Sequence, residues 1–264
     1  MTFVLGLAQC RHPEEGGTEA VLEMAEQWCA EASLRGVDIL VFPESLMTRY
    51  ELDKRSFASE AESIDGPFCC GMNALAARYG LWLVYTMNER NNEGNPFNTA
   101  VITGSDGTKH GGYRKVHLFD TDFTKESDRM AAGSALFEPI DTPFGRIGLS
   151  ICYDLRFPEV ARFAATRGCQ LLINPAAWVD GRLKAEQWRT LLSARAIENE
   201  IFVAGLSRVD KGYIGQSAVF GPDGVMLASG SVREELVAAR IDLSAIDGVR
   251  SAMPVLEHRR PELY

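Results

Sequence analysis

The chain has no run of about 18 consecutive apolar residues, the length a membrane-spanning helix requires, so no span is expected. Its first ten residues, MTFVLGLAQC, lack the basic start of a secretory signal and are expected to belong to the fold. There is no CxxC, no HExxH and no Cys/His spacing suited to zinc, so no zinc site is expected. GxGxxG, the phosphate-binding P-loop and GxSxG are all missing, which sets aside dinucleotide, nucleotide and serine-hydrolase sites of the common kinds. Basic residues are outnumbered, 27 against 36 acidic, for a net charge of -9. That balance opposes binding to nucleic acid, which needs clustered Lys and Arg. Histidine is scarce at four residues, and none of the four lies in a recognisable Cys/His signature. Of these, His117 is the one plausible partner for a cysteine.

What is present is a chain of 264 residues with 46% hydrophobic content, enough to bury a large core without staples. We expect one domain spanning 1–264. The six cysteines are expected to be reduced, in a cytoplasmic protein, because a chain this long needs no disulfide framework.

The periodicities alternate between strand and helix. FVLGLAQ (3–9) is short, apolar and β-prone, and it predicts a buried strand. Thr18 is placed to cap a helix whose Val21, Met24, Ala25, Trp28, Cys29 and Ala32 make one apolar stripe, with Gly36 at its end. DILVF (38–42) predicts a strand stopped by Pro43. Pro67 begins a second helix, followed by strands over 81–87 and 98–104, a turn at 104–107 and a further strand. Residues 116–135 lack periodicity and predict a long loop, a frequent carrier of function. RIGLSICYD (146–154) precedes a helix from Pro158 to Arg167, and QLLIN (170–174) is a strand that Pro175 should end. A helix over 183–199, with Trp188, Leu191, Leu192 and Ile197, leads to four late strands. Two of these are joined by the GPDG turn at 221–224.

RGVDILVFPE (35–44) and RGCQLLINPA (167–176) match at an offset of 132 residues, half the chain. Two halves of one architecture, related by a pseudo-two-fold, would put Glu44 and Ala176 at equivalent strand ends. The strand count exceeds one doubly wound sheet. Two stacked mixed β-sheets with helices outside satisfy both the early alternation and the late hairpins.

Three residues could carry chemistry. Cys152 ends an apolar strand just before a polar turn and a helix, where a nucleophile projects from a sheet edge. Its thiol needs a base or a cation to react near neutral pH. Glu44 directly follows a buried strand, and a desolvated carboxylate there would serve as a general base. Lys115 ends GGYRK (111–115). Taken singly, each has an ordinary reading: core cysteine, loop glutamate, surface lysine.

Together, VFPES (41–45), YRKVHLF (113–119) and ICYDLRFPEVAR (151–162) resemble the glutamate, lysine and nucleophile motifs of the carbon–nitrogen hydrolase (nitrilase) superfamily. The likeness continues through ARAIEN (194–199) and PVLEHRRPELY (254–264). It implies a cysteine hydrolase that needs no metal or organic cofactor, with a four-layer α-β-β-α sandwich, assembled as a homodimer or higher homo-oligomer. In that family pattern Cys152 is the nucleophile and Glu44 the general base. Lys115 and the Tyr153 backbone N–H stabilise the oxyanion, and Glu126 orients Lys115 and the substrate.

The Cys152-Tyr153-Asp154 run favours amidases over nitrilases, which typically show Cys-Trp-Glu. CYDLRFPE and the tail look most like the branch of omega-amidases and deaminated glutathione amidases. The resemblance therefore implies a small carboxylate-bearing amide as substrate. The alternatives are an N-carbamoyl amine hydrolase or nitrilase of the same superfamily, or a catalytically silent binding protein on this fold. This chain departs from the branch at Glu186-Gln187-Trp188, where a His-Trp pair is common. Trp178, Arg182 and Lys184 lie nearby, and one basic residue among them is expected to meet a substrate carboxylate.

Overall fold

The computed structural model describes residues 1–48 and 54–263. Twelve strands among them form two six-stranded mixed sheets. The first comprises β1 (Thr2–Gln9), β2 (Ile39–Val41), β3 (Trp82–Glu89), β4 (Phe97–Thr103), β5 (Lys109–Arg114) and the late strand β12 (Glu235–Asp242). The second comprises β6 (Ile140–Thr142), β7 (Gly145–Leu149), β8 (Leu171–Ala176), β9 (Phe202–Ser207), β10 (Ala218–Phe220) and β11 (Met226–Ser229). Helices α1 (Gly17–Leu34), α2 (Lys54–Glu60), α3 (Pro67–Tyr79), α4 (Pro158–Ala165), α5 (Lys184–Asn199) and α6 (Ser244–Ala252) complete the fold.

Period-two alternation decides which face each side chain enters. Phe3, Leu5, Leu7, Ile39, Val41, Trp82 and Val84 share one apolar core with Ile147, Leu149, Leu171 and Ile173 of the second sheet. The alternate residues Ala8, Leu40, Leu83 and Tyr85 instead join Val21, Ala25 and Cys29 of α1 and Phe68 and Met72 of α3. Both faces of the first sheet are thus covered, which is why its strands read as unbroken apolar runs. Trp188, Leu192 and Ala196 of α5 and Ala161 and Ala164 of α4 pack with the second sheet. The four-layer α-β-β-α order follows from these two clusters.

The two halves repeat each other. The first sheet runs β12-β1-β2-β3-β4-β5 and the second, read the same way, β6-β7-β8-β9-β10-β11. In each, the second, third and fourth strands are mutually parallel and the others antiparallel. Helix α1 links β1 to β2 as α4 links β7 to β8. Gly36 and Gly168 follow these helices at φ +67° and +80°, a left-handed exit that glycine adopts without strain. The 132-residue offset therefore reflects topology.

Several local expectations are corrected. Thr18 lies inside α1, and the helix starts after Gly16 without a side-chain cap. Pro175 does not end β8. Beyond Ile173 that strand has lost its β7 partner and pairs with β9 alone, and such an edge accepts a residue without an N–H. Ile197 is 51% exposed and not part of the α5 core face. Helix α6, α2 and the short β6 were not foreseen. All three are short, at nine, seven and three residues. No described helix is long and apolar enough to cross a membrane.

The α5–β9 seam is tight. A Cβ on Gly205 would sit 2.6 Å from Trp188 Cζ2 and 2.7 Å from Leu192 Cδ1. Both neighbours are wholly buried. Gly205→Ala is expected to destabilise the protein by roughly 1–3 kcal/mol through overpacking. Urea unfolding checks this, and an unchanged midpoint would show that α5 can shift away.

Candidate active site

Strand ends from both sheets converge on one pocket. β2 delivers Glu44 through the Phe42-Pro43 step, β5 runs directly into Lys115, and β7 leads to Cys152. Cys152 opens a 3-10 turn, Cys152–Arg156, with its own φ at +44°, a strained value for a residue with a side chain. Asp154 makes that turn stable. Its Oδ2 accepts from the Ile151 N–H at 2.9 Å and the Tyr113 hydroxyl at 2.7 Å. Its Oδ1 accepts from the His117 N–H at 3.2 Å and bonds His117 Nδ1 at 2.8 Å. One buried carboxylate therefore ties the turn holding Cys152 to both flanks of Lys115.

Lys115 is 2% exposed, Glu44 4% and Glu126 3%. Lys115 Nζ donates to Glu44 Oε1 at 2.8 Å and to Glu126 Oε2 and Oε1 at 2.8 and 3.1 Å. Asn98, on β4, donates to Glu44 Oε1 at 2.8 Å. Glu44 Oε2 accepts the Ala177 N–H at 2.8 Å, and Glu126 Oε2 accepts the Phe119 N–H at 2.7 Å. Cys152 and Glu44 line the same pocket, near enough for the Glu44 charge to act on the thiol.

These contacts set the charges. Burial alone would raise the Glu44 carboxyl, but the Lys115 ammonium and the Ala177 N–H outweigh it and hold the group below the usual range. Burial works against a charged Lys115, yet Glu126 and Glu44 push it well above its ordinary value. Burial first, then the Glu44 charge, pushes the Cys152 thiol well up, against the pull of Lys115. At neutral pH the arrangement is a neutral thiol beside an anionic carboxylate that is itself bonded to a cation. Such a set can pass a proton from sulfur to Glu44 as the sulfur attacks an electrophile.

The pocket around this set encloses about 440 Å3 counted out to its open mouth. Phe119, Tyr153, Trp178, Val179 and Tyr213 give it largely apolar walls. Tyr153 packs edge-on against Phe119 and Phe157. Trp178 is held by its Nε1–H donating to the Lys184 carbonyl at 3.1 Å. All six residues expected from the sequence, Glu44, Lys115, Glu126, Cys152, Tyr153 and Trp178, line this pocket.

Lys184 lines it as well, whereas Arg182 is exposed elsewhere. His117 is no base for Cys152. It lies outside the pocket, bonded to Asp154 and stacked on Phe157 at 3.7 Å. Asn98, Asp154, Arg156 and Tyr213 were missed. A polar residue inside an apolar strand, as at Asn98, is the one signal that could have found any of them. Arg156 stacks 4.8 Å over Trp178, and Gln187 Oε1 accepts from its NH2 at 2.9 Å. The residue that replaces the branch's common histidine thus anchors a cation at the pocket wall.

Lys115→Met would leave two buried carboxylates facing each other, and is expected to cost roughly 3–5 kcal/mol at pH 7. Its pH dependence should invert. In the wild type the depressed Glu44 contributes stability at neutral pH that is lost as pH falls through its folded value. Without the cation, burial raises the carboxyls, so the variant should gain relative stability as pH drops from 7 towards 5. Urea midpoints across that range check the sign, and parallel curves would refute it.

Comparison with known proteins places this geometry. The carbon-nitrogen hydrolase family model matches residues 5–251. The chain is 34% identical to the nitrilase and fragile histidine triad fusion protein NitFhit of Caenorhabditis elegans, over 98% of its own length but only 61% of that longer protein. It is 35% identical to omega-amidase NIT2 of Homo sapiens, over 89% of this chain and 87% of that one. A carbon-nitrogen hydrolase structure from Helicobacter pylori G27 superposes with a TM-score of 0.93 at 28% identity, covering 100% of this chain and 97% of that one. The chain therefore belongs to the carbon-nitrogen hydrolase family, hydrolases of carbon–nitrogen bonds other than peptide bonds, in its Nit-type branch.

Proposed function

We propose that the chain, as one domain over 1–264, is a cysteine-dependent amidohydrolase that splits a small carboxylate-bearing amide into acid and ammonia. The observation that carries this reading is one pocket that sets the buried Cys152 thiol beside a Glu44 carboxylate bonded to the Lys115 ammonium. Glu44 takes the thiol proton as sulfur bonds to the amide carbon. The resulting oxyanion lies against Lys115 Nζ and the Tyr153 N–H, donors worth roughly 3–4 kcal/mol each when fixed in advance. Glu44 returns the proton to the leaving nitrogen, and ammonia departs to leave a thioester. It then takes a proton from water, whose oxygen attacks the thioester, and the acid leaves as sulfur regains its proton. Glu126 keeps Lys115 in place and Trp178 walls the substrate.

Two cations support the carboxylate. Arg156 and Lys184 both line the pocket, and neither has an acidic partner among the described residues. Burial and the Arg156 charge hold the Lys184 ammonium below its ordinary value, a penalty an anionic ligand would relieve. Apolar walls with a few convergent charged groups suit a small molecule. Six free cysteines support a reducing, cytoplasmic setting. The half-exposed Ile197 on α5 supports a homodimer, which light scattering would show as twice 29.1 kDa.

The test is a panel of 2-oxoglutaramate, 2-oxosuccinamate, deaminated glutathione, glutamine, an N-carbamoyl amino acid and an aliphatic nitrile, read by release of the amine or ammonia. Turnover of the oxo-amides, absent in Cys152→Ala, is the expected result. Turnover of the carbamoyl compound or nitrile alone would overturn the amidase reading, and no turnover at all would favour a binding protein. Arg156→Gln should raise KM at least tenfold for carboxylate-bearing amides, the loss of one charge-assisted contact of about 1.5–3 kcal/mol. An equal loss on neutral amides would mean that Arg156 only supports Trp178.

A further inference from the structure

Arg208 follows β9 and is 1% exposed, yet it does not line the pocket. Its NH1 donates to the Ser45 carbonyl at 3.0 Å. Its Nε donates to Asp210 Oδ2 at 2.7 Å, and NH2 lies 2.6 Å from the same oxygen. Asp210 Oδ1 in turn accepts the His12 N–H at 3.0 Å. The guanidinium also lies 5.4 Å over the ring of Tyr213, a pocket wall.

Ser45 is the residue after Glu44, and its φ is +55°. A residue with a Cβ occupies that left-handed region only when its surroundings over-determine it. The first sheet supplies part of the restraint. Thr86 Oγ1 donates to the Pro43 carbonyl at 3.0 Å and accepts the Leu46 N–H at 3.2 Å. Those bonds bracket Glu44–Ser45 from β3. The Ser45 carbonyl itself is held from the other sheet, by Arg208. Burying a guanidinium beside a single carboxylate is expensive, and an apolar pair would fill the space as well. The fork of Arg, by contrast, can hold a carbonyl and a carboxylate together.

We infer that Arg208 is a positioning residue: by fixing Ser45 in its left-handed conformation it keeps the Glu44 carboxylate aimed at Cys152. The inference rests on the reading of Glu44 as the base. Asp210 orients the guanidinium, and β9 thereby controls a carboxylate delivered by β2.

The experiment measures alkylation of Cys152 by iodoacetamide in the intact protein, which needs no knowledge of the substrate. Thermal melting is recorded for every variant, and Glu44→Gln sets the floor. Arg208→Gln should slow alkylation at least tenfold, and Arg208→Lys by less. Adding Ser45→Gly to Arg208→Gln should recover at least threefold, because glycine takes the left-handed conformation unaided. The same substitution should do nothing for Glu44→Gln. On any amide that is turned over, Arg208→Gln should lower kcat and leave KM within twofold.

Wild-type alkylation in a folded Arg208→Gln, or no recovery with Ser45→Gly, would overturn the inference while leaving the role of Glu44 intact. Wild-type alkylation in Glu44→Gln would sink the base itself, and the inference with it. Should Arg208→Gln not fold, Arg208→Lys with and without Ser45→Gly carries the same comparison.

Discussion

Lys115 sits between Glu44 and Glu126 with almost no access to water, and the site is organised around satisfying it. An ammonium stripped of water costs several kcal/mol, and one carboxylate seldom repays that in a protein interior. Two do so here, and they bring their own desolvation. Asn98, the Ala177 N–H and the Phe119 N–H take up the remaining carboxylate lone pairs. The triad thus recruits donors from β4, from the segment after β8 and from the long loop that follows β5. None of these segments is free to move without breaking a bond to a buried charge. A pocket wall built this way is rigid for electrostatic reasons, before any packing is counted.

The internal repeat explains how such a set can be assembled from one chain. In each half, a parallel strand ends at the same edge of its sheet, and the sheets face each other, so equivalent strand ends meet. One end carries Glu44. Its counterpart carries Ala176, and the next residue, Ala177, gives its backbone N–H to Glu44. A second carboxylate at the equivalent position would have placed two like charges in one dry space. A small residue leaves room for Glu44 to cross the boundary between sheets. The two halves share a frame and divide the site: the first supplies Glu44 and Lys115, the second Cys152, the Ala177 N–H and the cations at the pocket wall.

How much of this the sequence disclosed depends on where the information lies. Alternating and helical periodicities placed both sheets and α1, α3, α4 and α5, because burial on a defined face leaves a repeating mark. Helix α6 is nine residues long and buries only Ile246, so it was passed over. Glu44, Lys115 and Cys152 were readable because each stands within a run of residues that resembles a family motif. Glu126 and Trp178 followed by position. The role of Asp154 was not readable, since it acts through partners distant in sequence, such as Tyr113 at 41 residues away. Gln187 shows the limit in another form. A departure from the expected histidine was visible, but its purpose emerged only once Arg156 was seen against it.

The charge arithmetic of the site also explains why the thiol rests neutral. Burial alone disfavours a Cys152 thiolate, and as a third anion beside Glu44 and Glu126, against Lys115, it is disfavoured further, so the thiol pKa is pushed up. On the proposed route the proton moves to Glu44 only as sulfur bonds to carbon. Negative charge then leaves the carboxylate and reappears on the substrate oxygen, next to Lys115. The net charge of the buried set is the same before and after, and only its position changes, by a few ångströms around a fixed ammonium. A dry pocket tolerates such a shift far better than it tolerates creating a new charge. The same constraint explains why Lys115 cannot be a proton donor in this scheme. Two carboxylates raise its pKa so far that it acts as a permanent positive charge. On the proposed route Glu44 is the group that gains and loses the proton.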